Sequence, residues 1–305
     1  MGIMEQLPKI NLSNLQLISL LGHGGMATVW KARQLSLDRL VAVKILAPSF
    51  ATTSEDIAQF RQEAQAAARL KHTGIVHVYD ANFSEGLYYF IMELVDGYTM
   101  GELLRRKGHI LMEDALTVAE SVAIALDYAW GTYRMVHCDI KPDNIMVDAD
   151  GTVKLTDLGL CRSIVFLKSE HAGDVADEVI GTPAYMSPEQ VYGTHQLDCR
   201  ADIYALGATL YHMVSGKMLF DGQSDEDMMR SHVGLAQAPD ICSLMPTISG
   251  SFALLLEKML LKDPQHRHQD WGQVLADLVR VRANQPPRPA LVSKQGSSMQ
   301  RIPTP

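Results

Sequence analysis

Asp139-Ile140-Lys141-Pro142-Asp143-Asn144 places a carboxylate, an ammonium group and an amide in one short stretch, and Asp157-Leu158-Gly159 follows at the end of an apolar run. A carboxylate at Asp139 can accept a hydroxyl proton. The Lys141 ammonium can neutralise a phosphate, and the oxygens of Asn144 and Asp157 suit a hard cation such as Mg²⁺. Those groups together are what phosphoryl transfer from ATP requires. The spacing D-x-K-x-x-N alone arises about once in 8,000 windows at average residue usage, so it gains weight only from its surroundings.

The surroundings must supply a place for phosphates and a means of aiming them. Upstream, Leu21-Gly22-His23-Gly24-Gly25-Met26-Ala27-Thr28-Val29 precedes Val41-Ala42-Val43-Lys44. The β-branched, alternating flanks predict two strands joined by a glycine turn, and glycines let backbone N–H groups approach phosphate oxygens. A dinucleotide-binding turn would instead open a helix, whereas Gly24 leads into Thr28-Val29-Trp30-Lys31-Ala32, which reads as a strand. Lys44 ends the next strand, where it can meet the α and β phosphates. Phe60 to Leu70 is Ala-rich and free of Pro and Gly, which predicts a helix carrying Glu63. Glu63 is either a solvated surface acid or the ion-pair partner that aims Lys44.

The phrases L-G-H-G-G-M-A-T-V, V-A-V-K, F-R-Q-E-A, L-K-H-T-G-I-V-H-V-Y-D, I-M-E-L-V-D-G, H-C-D-I-K-P-D-N, D-L-G, G-T-P-A-Y-M-S-P-E-Q and D-I-Y-A-L-G run through residues 15–280. With them the chain resembles the eukaryotic-type (Hanks-type) protein kinases, most of all the bacterial Ser/Thr kinases of the PASTA group. The resemblance implies an α+β, bilobal kinase fold: a lead-in over 1–14, a kinase domain over 15–283 and a disordered tail over 284–305. Residues 15–95 would form a β-rich N-lobe with one main helix, and 96–283 a mainly helical C-lobe.

The resemblance also implies roles. Asp139 would be the base, Lys141 would balance charge on the transferred group, and Lys44, Glu63 and Thr182 would complete the catalytic set. Asn144 and Asp157 would hold Mg²⁺, with Mn²⁺ as a substitute. Leu21, Gly22, Gly24, Gly25, Val29, Ala42, Lys44, Met92, Glu93, Val95 and Met146 would bind ATP, Met92 as gatekeeper. Val78, Ala67, Leu158 and His137 would form an apolar stack held at its base by Asp202. Glu189 would pair with Arg267, and Thr182 would hydrogen-bond to Asp139 and Lys141. The Lys-Pro pair after Asp139 resembles the Ser/Thr class.

Three positions depart from the family pattern. Cys138 stands where an Arg usually receives an activation-loop phosphate, so activity is expected to depend little on phosphorylation between Asp157 and Glu189, with Ser163 and Ser169 the candidate sites. Ala27 replaces the third loop glycine, and Leu158 the usual Phe. None of these removes a phosphate or metal ligand. The alternatives are a nucleotide-binding pseudokinase and a small-molecule phosphotransferase; Gly181-Thr182-Pro183-Ala184-Tyr185-Met186-Ser187-Pro188-Glu189, which resembles a platform for an extended peptide, argues against the latter. Cys138 and Cys161 would be neighbours in this fold, either as inert thiols or as a reversible disulfide.

Composition sets the remaining bounds. The chain has 305 residues, 47% hydrophobic and 20% charged, and a formal net charge of −8. That suits a two-lobed globular enzyme acting on proteins, argues against a nucleic-acid partner, and mildly suits basic peptides, as does Asp143. The four cysteines show no C-x-x-C spacing, which fits a reducing, cytoplasmic setting without zinc. His266 and His268 read as surface or capping groups. No apolar run reaches the roughly 18 residues of a membrane span. Pro286-Pro287-Arg288-Pro289 and the Ser- and Gln-containing stretch after it read as a linker, leading either nowhere or, in a longer protein, to a membrane span. The sequence leaves a homodimer open.

Overall fold

The computed structural model describes residues 12, 14–24, 27–47, 64–84, 86–158, 181–194, 196–222, 224–289 and 296–300. They divide into two compact units, one taking in the described residues up to Lys71 together with Val76–Asp96, the other taking in His72–Ile75 and the described residues from Gly97 onward.

The first unit is built on a five-stranded antiparallel sheet ordered β1-β2-β3-β5-β4, formed by Leu15–His23, Ala27–Gln34, Arg39–Leu46, Leu87–Met92 and Val78–Ser84 respectively. Val41-Ala42-Val43-Lys44-Ile45 shows why one face becomes core. A period of two sends Val41, Val43 and Ile45 into a cluster with Leu12, Leu15, Trp30, Ala32, Tyr89 and Ile91. The intervening Ala42 and Lys44 then share the opposite face with their cross-strand partners Met92 and Phe90, and Val29 joins them opposite Lys44. Residues 64–68 are helical.

The second unit holds a three-stranded sheet of β6 (Gly97–Thr99), β7 (Ile145–Asp148) and β8 (Val153–Leu155). Its helices are α1 (Met100–Lys107), α2 (Met112–Tyr133), α3 (Pro188–Val191), α4 (Cys199–Ser215), α5 (Asp225–Val233), α6 (Ile241–Leu244), α7 (Gly250–Met259) and α8 (Trp271–Arg282). A capping box of Thr99 and Glu102 starts α1. Helix α4 is buried nearly all round, capped by Asp198 at its start and by Gly216 in the left-handed region at its end. It packs against α2, α7 and α8, and Tyr204, Tyr211, Phe252 and Trp271 are among the largest fully buried side chains of this unit, each less than 2% exposed. Truncating such a side chain costs about 3–5 kcal/mol. Among the described residues no helix is long and apolar enough to cross a membrane.

Two expectations fail here. His268 is fully buried and bonds Asp277 at 3.0 Å, so it is no surface group. Within the expected disordered tail, Ser297, Ser298 and Met299 are 5%, 0% and 2% exposed. Composition predicts disorder only when a segment finds nothing to pair with, and this one finds two backbone edges.

Candidate functional site

The turn from His137 to Asn144 is shaped before any ligand is considered. Cys138 has φ +66°, an unfavourable conformation for a side-chain-bearing residue. Asp202, in the first turn of α4, holds it there by accepting from the His137 N–H at 2.7 Å and the Cys138 N–H at 2.9 Å. Burial pushes the Asp202 carboxyl up to about 6, and the two N–H donors offset that only in part. The Cys138 carbonyl accepts from Gln190 Nε2 at 2.7 Å, and Thr209 Oγ1 donates to the Ile140 carbonyl at 3.1 Å. The imidazole of His137 accepts from the Asp139 N–H at 3.2 Å through Nδ1, so Nε2 carries the proton and donates to the Thr156 carbonyl at 2.8 Å. That bond ties the turn to the residue preceding Asp157.

Asp139 collects donors on both oxygens. Its Oδ1 accepts from the Thr182 N–H at 2.9 Å and from Thr182 Oγ1 at 2.8 Å; its Oδ2 accepts from Asn144 Nδ2 at 3.0 Å and lies 2.8 Å from Lys141 Nζ. Lys141 Nζ also donates to Thr182 Oγ1 at 2.6 Å. Burial would raise this carboxyl, but the Lys141 charge and the hydrogen bonds from Lys141 and Thr182 outweigh it and hold Asp139 below the usual carboxylate range. The group is therefore ionised at neutral pH.

Asn144 closes the turn by donating Nδ2 to the Asp139 carbonyl as well, at 2.8 Å. With the nitrogen committed, its Oδ1 is the end that can meet a cation. The Asn144 carbonyl accepts from the Thr156 N–H at 3.0 Å, which sets Asp157 beside it in the chain, at φ +64°. Two hard oxygen donors suit Mg²⁺, which keeps waters and phosphate oxygens as its other ligands; the residues present fit that ion. Thr182 is delivered by a second anchored segment. Ser187 and Gln190 form a capping box at the start of α3, and Arg267 Nη1 and Nη2 grip Glu189 at 2.6 and 2.8 Å. Arg267 also donates to the Leu261, Lys262 and Arg200 carbonyls, so the ion pair is a braced strut.

In the second unit, then, Asp139, Lys141, Asn144 and Thr182 are brought together, with Asp157 adjacent through Thr156, and Met146 lies on β7. In the first unit, Val29, Ala42, Lys44 and Met92 share one sheet face. Glu93 donates its N–H to the His77 carbonyl at 2.9 Å, and Val95 is buried. Leu21, Gly22 and Gly24 lie on or just after β1, where Gly24 donates to the Ala27 carbonyl at 2.9 Å. Gly25, Glu63, Cys161, Ser163 and Ser169 lie outside the described residues. Val78, Ala67, Leu158 and His137 are each buried in their own unit.

Sequence reasoning missed Gln190 as the tie to Cys138; its capping-box partner Ser187, three residues earlier, was the available signal. It also missed that Arg105 engages Asp143 at 2.9 Å, which offsets the acid read as suited to basic peptides. That pair borders a hollow of about 290 Å³ that also includes Pro142, Tyr185 and His212.

A sequence profile for the protein kinase domain matches residues 15–277. The chain is 35% identical over 263 residues to the serine/threonine-protein kinase PrkC of Bacillus subtilis, covering 86% of this chain and 40% of that protein. It is 37% identical over 276 residues to the serine/threonine-protein kinase PknB of Mycobacterium tuberculosis, covering 89% and 43%. The chain thus spans about two fifths of the length of these relatives. A crystal structure of the Mycobacterium tuberculosis PknI kinase domain, in a double-mutant form, matches with a TM-score of 0.72 at 25% identity, over 92% of this chain and 99% of that one.

Proposed function

The chain belongs to the protein kinase domain family, and from that premise we propose that it transfers the γ-phosphoryl group of ATP to serine and threonine hydroxyls of proteins in the cytoplasm. The observation that carries the reading is the Asp139 carboxylate, kept ionised yet reachable by Lys141, Asn144 and Thr182. Phosphoryl transfer passes through a loose transition state in which the acceptor hydroxyl becomes acidic late. A carboxylate held below its usual range therefore acts first by orienting the hydroxyl and takes the proton as the new O–P bond forms. Lys141, 2.8 Å from Asp139, stands where it can offset charge on the transferred group. Asn144 and Asp157 would hold Mg²⁺, or Mn²⁺ with the same oxygen preference, which would supply positive charge to offset that of the nucleotide phosphates. Lys44 is assigned to the α and β phosphates, with Glu63 as its partner. Val29, Ala42, Met92, Glu93, Val95 and Met146 are assigned to the adenine, and the Leu21–Gly25 turn to the phosphates.

The same reading holds that phosphorylation between Asp157 and Glu189 matters little. The residue before Asp139 is a buried cysteine whose N–H donates to the Asp202 carboxylate and whose carbonyl accepts from Gln190, contacts that need no phosphate. Replacing Ser163 and Ser169 together by alanine is expected to leave turnover within about twofold; loss of activity in the purified double variant would overturn it.

Incubation of the purified protein with labelled ATP and Mg²⁺, followed by phosphoamino-acid analysis, tests the main reading. Phosphoserine or phosphothreonine is expected. Mg²⁺-dependent nucleotide binding without transfer to itself or to a generic basic protein would replace it by a pseudokinase.

A further inference from the structure

Gly296–Gln300 lies between two stretches of backbone, joined to each by a single β-bridge on either side of a bend at Ser298. On one side it pairs in parallel with Ala238: the Ala238 N–H donates to the Ser298 carbonyl at 2.7 Å, and the Gln300 N–H to the Ala238 carbonyl at 2.8 Å. On the other it pairs antiparallel with Leu261: the Ser298 N–H donates to the Leu260 carbonyl at 2.9 Å, and the Lys262 N–H to the Gly296 carbonyl at 3.1 Å. Side chains add to this. Gln237 Nε2 donates to the Ser297 carbonyl at 2.8 Å, and Ser297 Oγ to the Glu257 carbonyl at 2.9 Å. Backbone hydrogen bonds on both sides, with Ser297, Ser298 and Met299 all buried, hold the segment as main-chain pairing holds an added peptide.

The seated segment reaches a buried side-chain network through Ser298. Ser298 Oγ is 2.7 Å from the Tyr204 hydroxyl, which is 2.7 Å from His232 Nδ1, and all three residues are fully buried. His232 belongs to α5, which packs on the Pro183–Tyr185 turn and on α3. Its Nε2 is buried without a hydrogen-bond partner among the described residues. A second route runs through Lys262. Its N–H holds the segment, while its buried ammonium donates to the Ser231, Gly234 and Ala236 carbonyls at 2.9, 2.6 and 3.0 Å, fixing the end of α5.

We propose that the groove between residues 236–240 and 257–262 is a docking site for a short peptide of small–small–methionine pattern, that the chain fills it with its own Ser297-Ser298-Met299, and that the filled groove steadies the Pro183–Tyr185 turn on which acceptor peptides lie. The last clause rests on the kinase reading. The first two do not. Emptying the groove unpairs the backbone of Ala238, Leu260 and Lys262 and removes the third member of the Ser298–Tyr204–His232 chain.

The full-length chain carrying Ser298→Glu tests this, because a carboxylate cannot be buried against two neutral partners without large cost. Hydrogen exchange at the Ala238 and Lys262 amides is expected to accelerate at least about tenfold. The KM for a protein acceptor is expected to rise about five- to tenfold while the KM for ATP stays put. A peptide of residues 294–302, added in trans, should restore both, and the same peptide with Glu at 298 should not. Unchanged exchange would overturn the docking. Accelerated exchange with an unmoved acceptor KM would overturn the coupling, and failure of the unmodified peptide to restore protection would reduce the groove to an ordinary folding contact. Should Ser298→Glu not fold, Gly296→Val serves: at φ +72° the branched side chain strains only the segment's own backbone, with Gln237 Nε2 the nearest atom at 3.8 Å. Wild-type protein without any transferase activity would sink the kinase reading and leave the exchange arm standing.

Discussion

Asp139 and Asp277 are built from the same parts and put to different uses. Each is a carboxylate 2.8 Å from a lysine, Lys141 and Lys258 respectively, with a histidine close by. Each is held below the usual carboxylate range against the opposing pull of burial, Asp277 by His268, the Arg288 N–H and Lys258. The difference is access. The Asp139 pair keeps 16% and 23% of its side-chain surface, whereas Asp277 and Lys258 keep 1% and 9%. Asp277 thereby becomes a strut from α8 to α7, while Asp139 keeps a face for an acceptor. Asp143 and Arg105, half-exposed or more, complete the series as a pair in water.

That gradient can be broken at each level. Asp139→Asn should lower kcat by about 10²–10⁴-fold with nucleotide binding intact; retention of most turnover would remove the assigned base. Asp277→Ala should cost about 3–5 kcal/mol of stability by stranding the buried Lys258 ammonium, measured by denaturant unfolding, while the folded fraction keeps its KM for ATP. Acid should find the sealed groups next. Burial lowers His232 to about 3 and also depresses His212 and His268. The unfolded chain binds these protons below its ordinary imidazole range and the folded chain resists them, so stability is full above about pH 6.5 and falls as the pH drops, His232 alone contributing up to about 1.4 kcal/mol per pH unit down to about pH 3. Asp277 adds to the loss only below about pH 4, where the unfolded carboxylate protonates first. Unfolding curves at pH 7.5 and 5 check the sign, and His232→Gln should flatten the slope. Smallest of all, Arg105→Ala should change stability by about 0.2–1 kcal/mol or less, yet improve kcat/KM for acceptors with a basic residue near the phosphorylated hydroxyl; no change in acceptor preference would remove Asp143 from specificity.

What could be read in advance follows the range of the interactions. The alternation around Lys44 gives the sheet and its faces, because a strand's period is local. The spacing of Asp139, Lys141 and Asn144 is legible for the same reason: a single turn closes on itself. Glu189 with Arg267 and Asp202 with the turn before Asp139 were legible only through the resemblance, since each spans more than sixty residues. His268 looked like a surface residue because its partner lies on the following helix and a lone histidine carries no sign of burial. The docked segment was illegible for a deeper reason: Gly-Ser-Ser-Met-Gln has the composition of a linker, and what orders it belongs to residues 238 and 261.

Gly181 has φ +114°, and a methyl group there would come within 2.8 Å of the Cys138 carbonyl. No chemistry is asked of it, yet the segment bearing Thr182 can close over the turn bearing Asp139 only while that position stays bare. A saturation scan scored on growth or phosphate transfer would place it among the least replaceable positions in the chain, alongside residues that handle protons and metal. Intolerance in such a scan reports clearance as readily as reactivity.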